Sequence, residues 1–216
     1  MFVGKRMTRN VITVSKGDTL KFASDILHAN RIHQLPVIEG ADLVGFVSGT
    51  DIRNSTFETS TVTQLGKILV KNKTVEEIMM REVITVSPWD TVEDALLIFH
   101  KRRLGALPVV ERKKLVGIIT KADVLAAFCD TLRIEEPGVR IEVLLPREAG
   151  SLIQLVRKLG ELKTEIRSLI LSPLREGFVA FIRLSTIDVA AVKKSLKDAG
   201  FTVPELSDFL GRTGEQ

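Results

Sequence analysis

The chain has 216 residues, 44% of them apolar and 27% charged, which supplies packed cores and excludes wholesale disorder. No apolar run approaches the roughly 18 to 20 residues that cross a bilayer. The single cysteine, Cys129, excludes an internal disulfide or a Cys-cluster metal site and fits a reducing cytoplasm, and the three histidines lack paired carboxylates. A net charge of +4 with no Tyr and one Trp is mild for a nucleic-acid binder and offers few bases a stacking platform.

In chain order, Met1–Arg6 lacks the apolar core and cleavage site of a secretion signal. Val11–Ser15 is short and β-branched, and Leu20, Ala23 and Leu27 then share one helical face, with Phe22 and Ile26 beside it. Met7–Ile52 aligns without a gap onto Met79–Val124, with 21 identities in 46 positions. Two copies of one unit are present. In the second copy Val83–Val86 predicts a strand, and Asp90 with Glu93 predicts a capping box. A helix follows with Val92, Ala95, Leu96 and Phe99 on its apolar face. Leu107–Val110 and Leu115–Thr120 predict strands around a basic Lys113-Lys114 turn, and Lys121–Leu132 a closing helix. The unit is therefore βαββα and too small to bury its surface alone, so two copies packed together would enclose a cleft. The first closing helix is expected to be short, because Asn54-Ser55-Thr56 suits a helix interior poorly. Residues 53–72 connect the copies, with a helix expected at 62–70.

The paired starts Met7-Thr8 and Met79-Met80, the Leu-Pro-Val strands, and the strings Gly45–Asp51 and Gly117–Asp123 resemble a tandem pair of cystathionine-β-synthase-type (CBS) domains, the Bateman module. The resemblance places CBS repeat 1 at 1–60, a linker at 61–72 and CBS repeat 2 at 73–133. It implies a regulatory protein that binds an adenosine-containing ligand (AMP, ADP, ATP or S-adenosylmethionine) and carries no required cofactor.

Glu135–Gly138 breaks the pattern as a linker. Beyond it, strands at Val139–Leu145, Glu165–Leu171, Phe178–Leu184 and Phe201–Val203 alternate with helices at Ser151–Leu162 and Asp188–Ala199. A turn is expected at Pro173–Gly177, and Leu152, Leu155, Val156 and Leu159 share the face of the first helix. Asp188 is the candidate N-cap of the second and Gly200 its stop. The order βαββαβ is ferredoxin-like. With Pro146–Leu152 at the first strand-to-helix turn, residues 138–208 resemble an ACT domain, although Glu148-Ala149 departs from the usual loop. Gly150 there either admits an amino-acid ligand close to the helix N-terminus or completes a tight turn. The predicted fold class is thus α/β (α+β): two packed βαββα repeats and a C-terminal βαββαβ domain. That order is similar to bacterial accessory proteins of acetoin utilisation and implies a homodimeric regulator.

Ser48-x-x-Asp51 and Thr120-x-x-Asp123 read two ways: as helix capping boxes, or as sites whose carboxylate accepts hydrogen bonds from a ribose diol. The resemblance implies ligand contacts at Thr13, His33, Pro36, Ser48, Thr50 and Asp51 in the first copy. In the second copy it implies Thr85, Gly105, Ala106, Pro108, Thr120, Lys121 and Asp123, with Lys121 for a phosphate. His33 reads either as an anion contact or as a solvent-facing side chain, and Thr13 and Thr85 either as adenine-edge contacts or as ordinary strand residues. No nucleophile–base pair, P-loop or dinucleotide fingerprint is present, so no enzyme is expected. Two rivals stay open: a partner-docking module with empty clefts, and a nucleic-acid-binding accessory protein.

Overall fold

A computed structural model of the chain describes residues 1–58 and 73–205. The chain forms two compact units, Met1–Ala127 and Phe128–Gln216. The helix expected at 62–70 and residues 206–208 of the expected third domain lie outside the described residues.

In the first unit, β1 (Val14–Ser15), α1 (Leu20–Asn30), β2 (Gln34–Glu39), β3 (Asp42–Ser48) and α2 (Gly49–Glu58) build the first copy. The second is α3 (Val92–Arg102), β4 (Ala106–Glu111), β5 (Lys114–Thr120) and α4 (Lys121–Thr131). Among the described residues one sheet runs β1-β2-β3-β5-β4. β2 and β4 each pair antiparallel with the strand that follows, and the copies meet through Asp42 opposite Lys114. The strand expected at Val83–Val86 contracts to one parallel bridge, Val86 to Val109, because only its last residue reaches a partner strand. β1 likewise pairs over two residues.

Helix α3 starts one residue later than the spacing suggests. Thr91 is the N-cap and forms a capping box with Asp94, whereas the Asp90 carboxylate closes a turn by accepting the Ser87 N–H at 2.7 Å. Val92, Ala95 and Phe99 are buried, but Leu96 is 44% exposed, so the apolar face is narrower than expected. Helix α2 runs on through Asn54–Thr56 to Glu58, and Ser55 is buried there, accepting from Lys73 Nζ at 3.2 Å. Tertiary burial overrides the weak local propensity.

The copies are laced reciprocally. Val3 and Gly4 donate to the carbonyls of Asp90 and Pro88, while Val75 and Glu76 donate to those of Asp18 and Lys16. Thr8 exchanges both backbone hydrogen bonds with Ile118, as Met80 does with Phe46. The repeated glycines explain themselves here. A Cβ on Gly117 would collide with the Met7 Sδ, and one on Gly45 with the Met79 Sδ. Each glycine is the seat on which the other copy's buried methionine lies.

The second unit contains β6 (Val139–Pro146), α5 (Ser151–Glu161), β7 (Glu165–Leu174), β8 (Gly177–Ser185) and α6 (Val189–Asp198). The sheet runs β6-β8-β7, all antiparallel, and Thr202 bridges Leu144 on the outer side of β6. Ile141, Val143, Ala180, Ile182 and Leu184 meet Leu155 and Leu159 of α5 and Leu196 of α6 in one core. Val156, expected on that face, is 42% exposed. Pro173 lies inside β7 rather than in the turn, which an edge strand tolerates because one side of its backbone has no strand partner among the described residues. Asp188 caps α6 by accepting the Ala191 N–H at 2.9 Å, and Gly200 follows the helix with φ of 86°.

Candidate functional site

A cavity of about 480 Å³ opens between the two copies in the first unit. One wall is Thr8, Asn10, Val11 and Ile12 together with Arg31–Gln34; the other is Gly105, Ala106, Ile118, Thr120 and the start of α4. Sequence, through the lacing, dictates this mixture: pairing Thr8 to Ile118 lays the leading segment of copy one across β5 of copy two.

Among the described residues three basic or ionisable side chains, Arg31, His33 and Lys121, line the cavity, and no carboxylate does. Arg31 is held in a left-handed conformation (φ 53°) as the C-cap of α1, its N–H bonded to the carbonyls of His28 and Leu27. The carbonyl of His33 accepts the Gly49 N–H at 3.0 Å, and that of Gly105 accepts the Lys121 N–H at 3.3 Å. Equivalent residues of the two copies thus anchor the two closing helices.

At the α4 entrance, Asp123 Oδ2 accepts from the Thr120 N–H and from Thr120 Oγ1, both at 2.7 Å, and Thr120 Oγ1 accepts the Asp123 N–H at 3.2 Å. Asp51 repeats the arrangement, its Oδ2 accepting from Ser48 N–H at 2.8 Å and Ser48 Oγ at 2.6 Å. The capping box is therefore formed in both copies. It occupies a single carboxylate oxygen, so Oδ1 of each aspartate has no protein partner among the described residues. Capping and ligand contact are compatible roles for one carboxylate.

Of the residues expected from sequence, the cavity gathers His33, Gly105, Ala106, Thr120 and Lys121. Asp123 is half-buried one residue beyond the lining residue Ala122. Thr13, Pro36, Ser48, Thr50, Asp51, Thr85 and Pro108 lie outside its lining. Pro36 and Pro108 are buried within β2 and β4, and Thr50 accepts from Arg53 at 3.0 Å. Arg31 and Asn10 line the cavity without having been singled out by the sequence, although Arg31 recurs as Arg103 at the repeat offset.

Gly150 caps α5 with φ of 96°, a backbone conformation that favours glycine, and a Cβ there would meet nothing within 4 Å. A separate cavity of about 500 Å³ is lined nearby by Pro146, Glu148, Ser151 and Phe201. Among the described residues no group of three His, Cys, Asp or Glu side chains is placed to hold a metal ion. No described helix is long and apolar enough to cross a membrane.

The CBS domain family model matches residues 3–58 and 75–130. The chain is 35% identical over 127 residues to MJ1225, an uncharacterized protein of Methanocaldococcus jannaschii, spanning 56% of this chain but 45% of that one. Solved structures are similar as well. A candidate acetoin utilization protein (AcuB) of Vibrio cholerae is 28% identical at a TM-score of 0.54, covering 63% of this chain and 98% of that one. CBSX2 in complex with AMP is 30% identical at 0.52, covering 62% and 98%. The CBS pair of MJ0100 in complex with 5′-methylthioadenosine and S-adenosyl-L-methionine is 26% identical at 0.50, covering 60% and 97%. The matched repeats, which make up more than half of its residues, establish that the chain is a tandem CBS pair of mixed α/β fold and belongs to the CBS domain family.

Proposed function

We propose that the CBS pair is a regulatory sensor that binds an adenosine-containing ligand (AMP, ADP, ATP or S-adenosylmethionine) in the cavity between its copies. The observation that carries this reading is a cavity lined by Arg31, His33 and Lys121, together with Asp123, which is bonded to the lining residue Thr120 through one carboxylate oxygen and has no partner for the other among the described residues. Asp123 would accept the ribose hydroxyls, and the cations would take a phosphate or a carboxylate. Gly105-Ala106, with little side-chain bulk, leaves room for a purine. CBS pairs of similar sequence are bound to AMP and to S-adenosylmethionine, which supports the ligand class. Asp51 marks the related half-site.

Binding that touches both copies shifts the chain toward arrangements that close the cavity, by the difference in affinity between states. The chain acts as a regulator, not a catalyst. For residues 138–208, the order βαββα with Thr202 pairing beside β6 supports an ACT domain, and the Gly150 turn is the place for an amino-acid ligand or a homodimer contact. Titration of the full chain with each of the four ligands, by calorimetry and thermal shift, tests the sensor reading. Ligand at a hundred times its Kd should stabilise the first unit by about 2.7 kcal/mol. Unchanged melting with all four at millimolar concentration would leave a partner-docking module.

A further inference from the structure

The second unit carries a charge arrangement that the sensor reading does not use. Arg140 of β6 lies directly opposite Arg183 of β8 in the antiparallel register, on the sheet face away from the helices. Like charges placed so are mutually destabilising. Arg140 has compensation, since it meets Glu142 at 2.8 Å and lies 4.5 Å from the centre of the Phe181 ring. Among the described residues Arg183 has carbonyl partners only: its Nη2 donates to Ile134 at 3.2 Å and Glu136 at 2.8 Å. Its Nε is enclosed without a hydrogen-bond partner. A partly buried guanidinium with no carboxylate is unusual, because the charged form is costly to desolvate unpaired.

Both arginines open onto one cavity of about 510 Å³, walled by Leu132, Ile134, Ile170 and Phe181. That volume falls within the range of small-molecule sites, about 300–1,000 Å³. Among the described residues its lining includes Ser168, the residue opposite Arg183 on β7, and no Asp or Glu. We infer that this cavity binds a small organic monocarboxylate with an apolar body, its carboxylate neutralising Arg183 and its hydrocarbon part lying against Ile170 and Phe181. With no acidic side chain in its lining, and the nearby Glu142 already paired with Arg140, the site selects a 2-oxo acid or aromatic carboxylate over the corresponding amino acid. A second copy of this chain is a poorer occupant, since pairing this face with itself about a two-fold brings arginines toward arginines.

The test uses the full chain, with phenylpyruvate and 4-methyl-2-oxopentanoate as probes and phenylalanine and leucine as their zwitterionic counterparts, titrated by calorimetry and ligand-observed NMR. The oxo acids should bind, and the amino acids should bind at least about tenfold more weakly. Ser168→Glu places a carboxylate opposite Arg183; it should abolish oxo-acid binding and raise the melting temperature, while any response to AMP stays unchanged. Arg183→Gln should weaken binding by about tenfold or more. Absence of binding by both oxo acids at millimolar concentration, equal binding of the amino acids, or binding indifferent to Ser168→Glu would each overturn the assignment. A change of oligomeric mass in Arg183→Gln without oxo-acid binding would make this face an assembly surface instead.

Discussion

On the proposed reading Asp123 both caps its helix and contacts the ribose, and comparing Asp123→Ala with Thr120→Val separates the two roles. Both substitutions break the capping box, in which Asp123 Oδ2 takes two bonds from Thr120 and Thr120 Oγ1 takes the Asp123 N–H. Loss of an N-cap costs about 0.5–2 kcal/mol, so urea denaturation should show comparable destabilisation in the two variants. Only Asp123→Ala also removes Oδ1, the oxygen left for the ribose. A hydrogen bond to a charged group is worth about 1.5–3 kcal/mol, which corresponds to a Kd for AMP raised roughly ten- to 150-fold. Thr120→Val, which removes a hydroxyl from the lining of the same cavity, should raise that Kd less than Asp123→Ala does. Calorimetry with AMP, performed well below each variant's melting temperature, reads both values. Equal affinities for the two variants would refute the ribose role and reduce Asp123 to a cap.

Gly117→Ala should destabilise the first unit by about 1–3 kcal/mol in chemical denaturation, because its Cβ meets the Met7 Sδ, and Met7→Ala in the same chain should recover part of the loss. Lys121→Gln should weaken AMP by about fivefold, as loss of one exposed charge contact, and leave adenosine unchanged in the same calorimetric titration. The Asp94 carboxyl lies below its ordinary value of 3.8 because Thr91 donates to it from its hydroxyl and then from its backbone N–H. A depressed carboxyl stabilises the fold at pH above the unfolded value and loses that contribution as pH falls through the folded one. Thr91→Val should therefore flatten the acid limb of the stability profile below about pH 4, measured by thermal melts across that range.

The chain's own pattern was enough for the repeat, for helices α1, α3, α5 and α6 to within a residue or so, and for the aspartates at the helix entrances. These are local properties: Leu20, Ala23 and Leu27 recur with the helical period whatever lies opposite them, and Thr120-x-x-Asp123 closes its own box within one turn. Where a local rule allowed two solutions, tertiary packing chose. Asp90–Glu93 and Thr91–Asp94 offer overlapping boxes, and the second formed because the Asp90 side chain was already committed to Ser87.

What the tertiary structure alone decided lies in the long-range pairing. The reason Gly45 and Gly117 recur is the methionine of the opposite copy, 34 and 110 residues away along the chain. The same crossing brings Asn10 and Arg31 of one copy to Lys121 of the other, so the cavity's cations were invisible as a set. The pairing of Arg140 with Arg183 likewise depends on the register of β6 against β8, which period-two alternation leaves undetermined. Periodicity is written by neighbours in sequence; a site is made by strangers in sequence whose placement only the packed chain specifies.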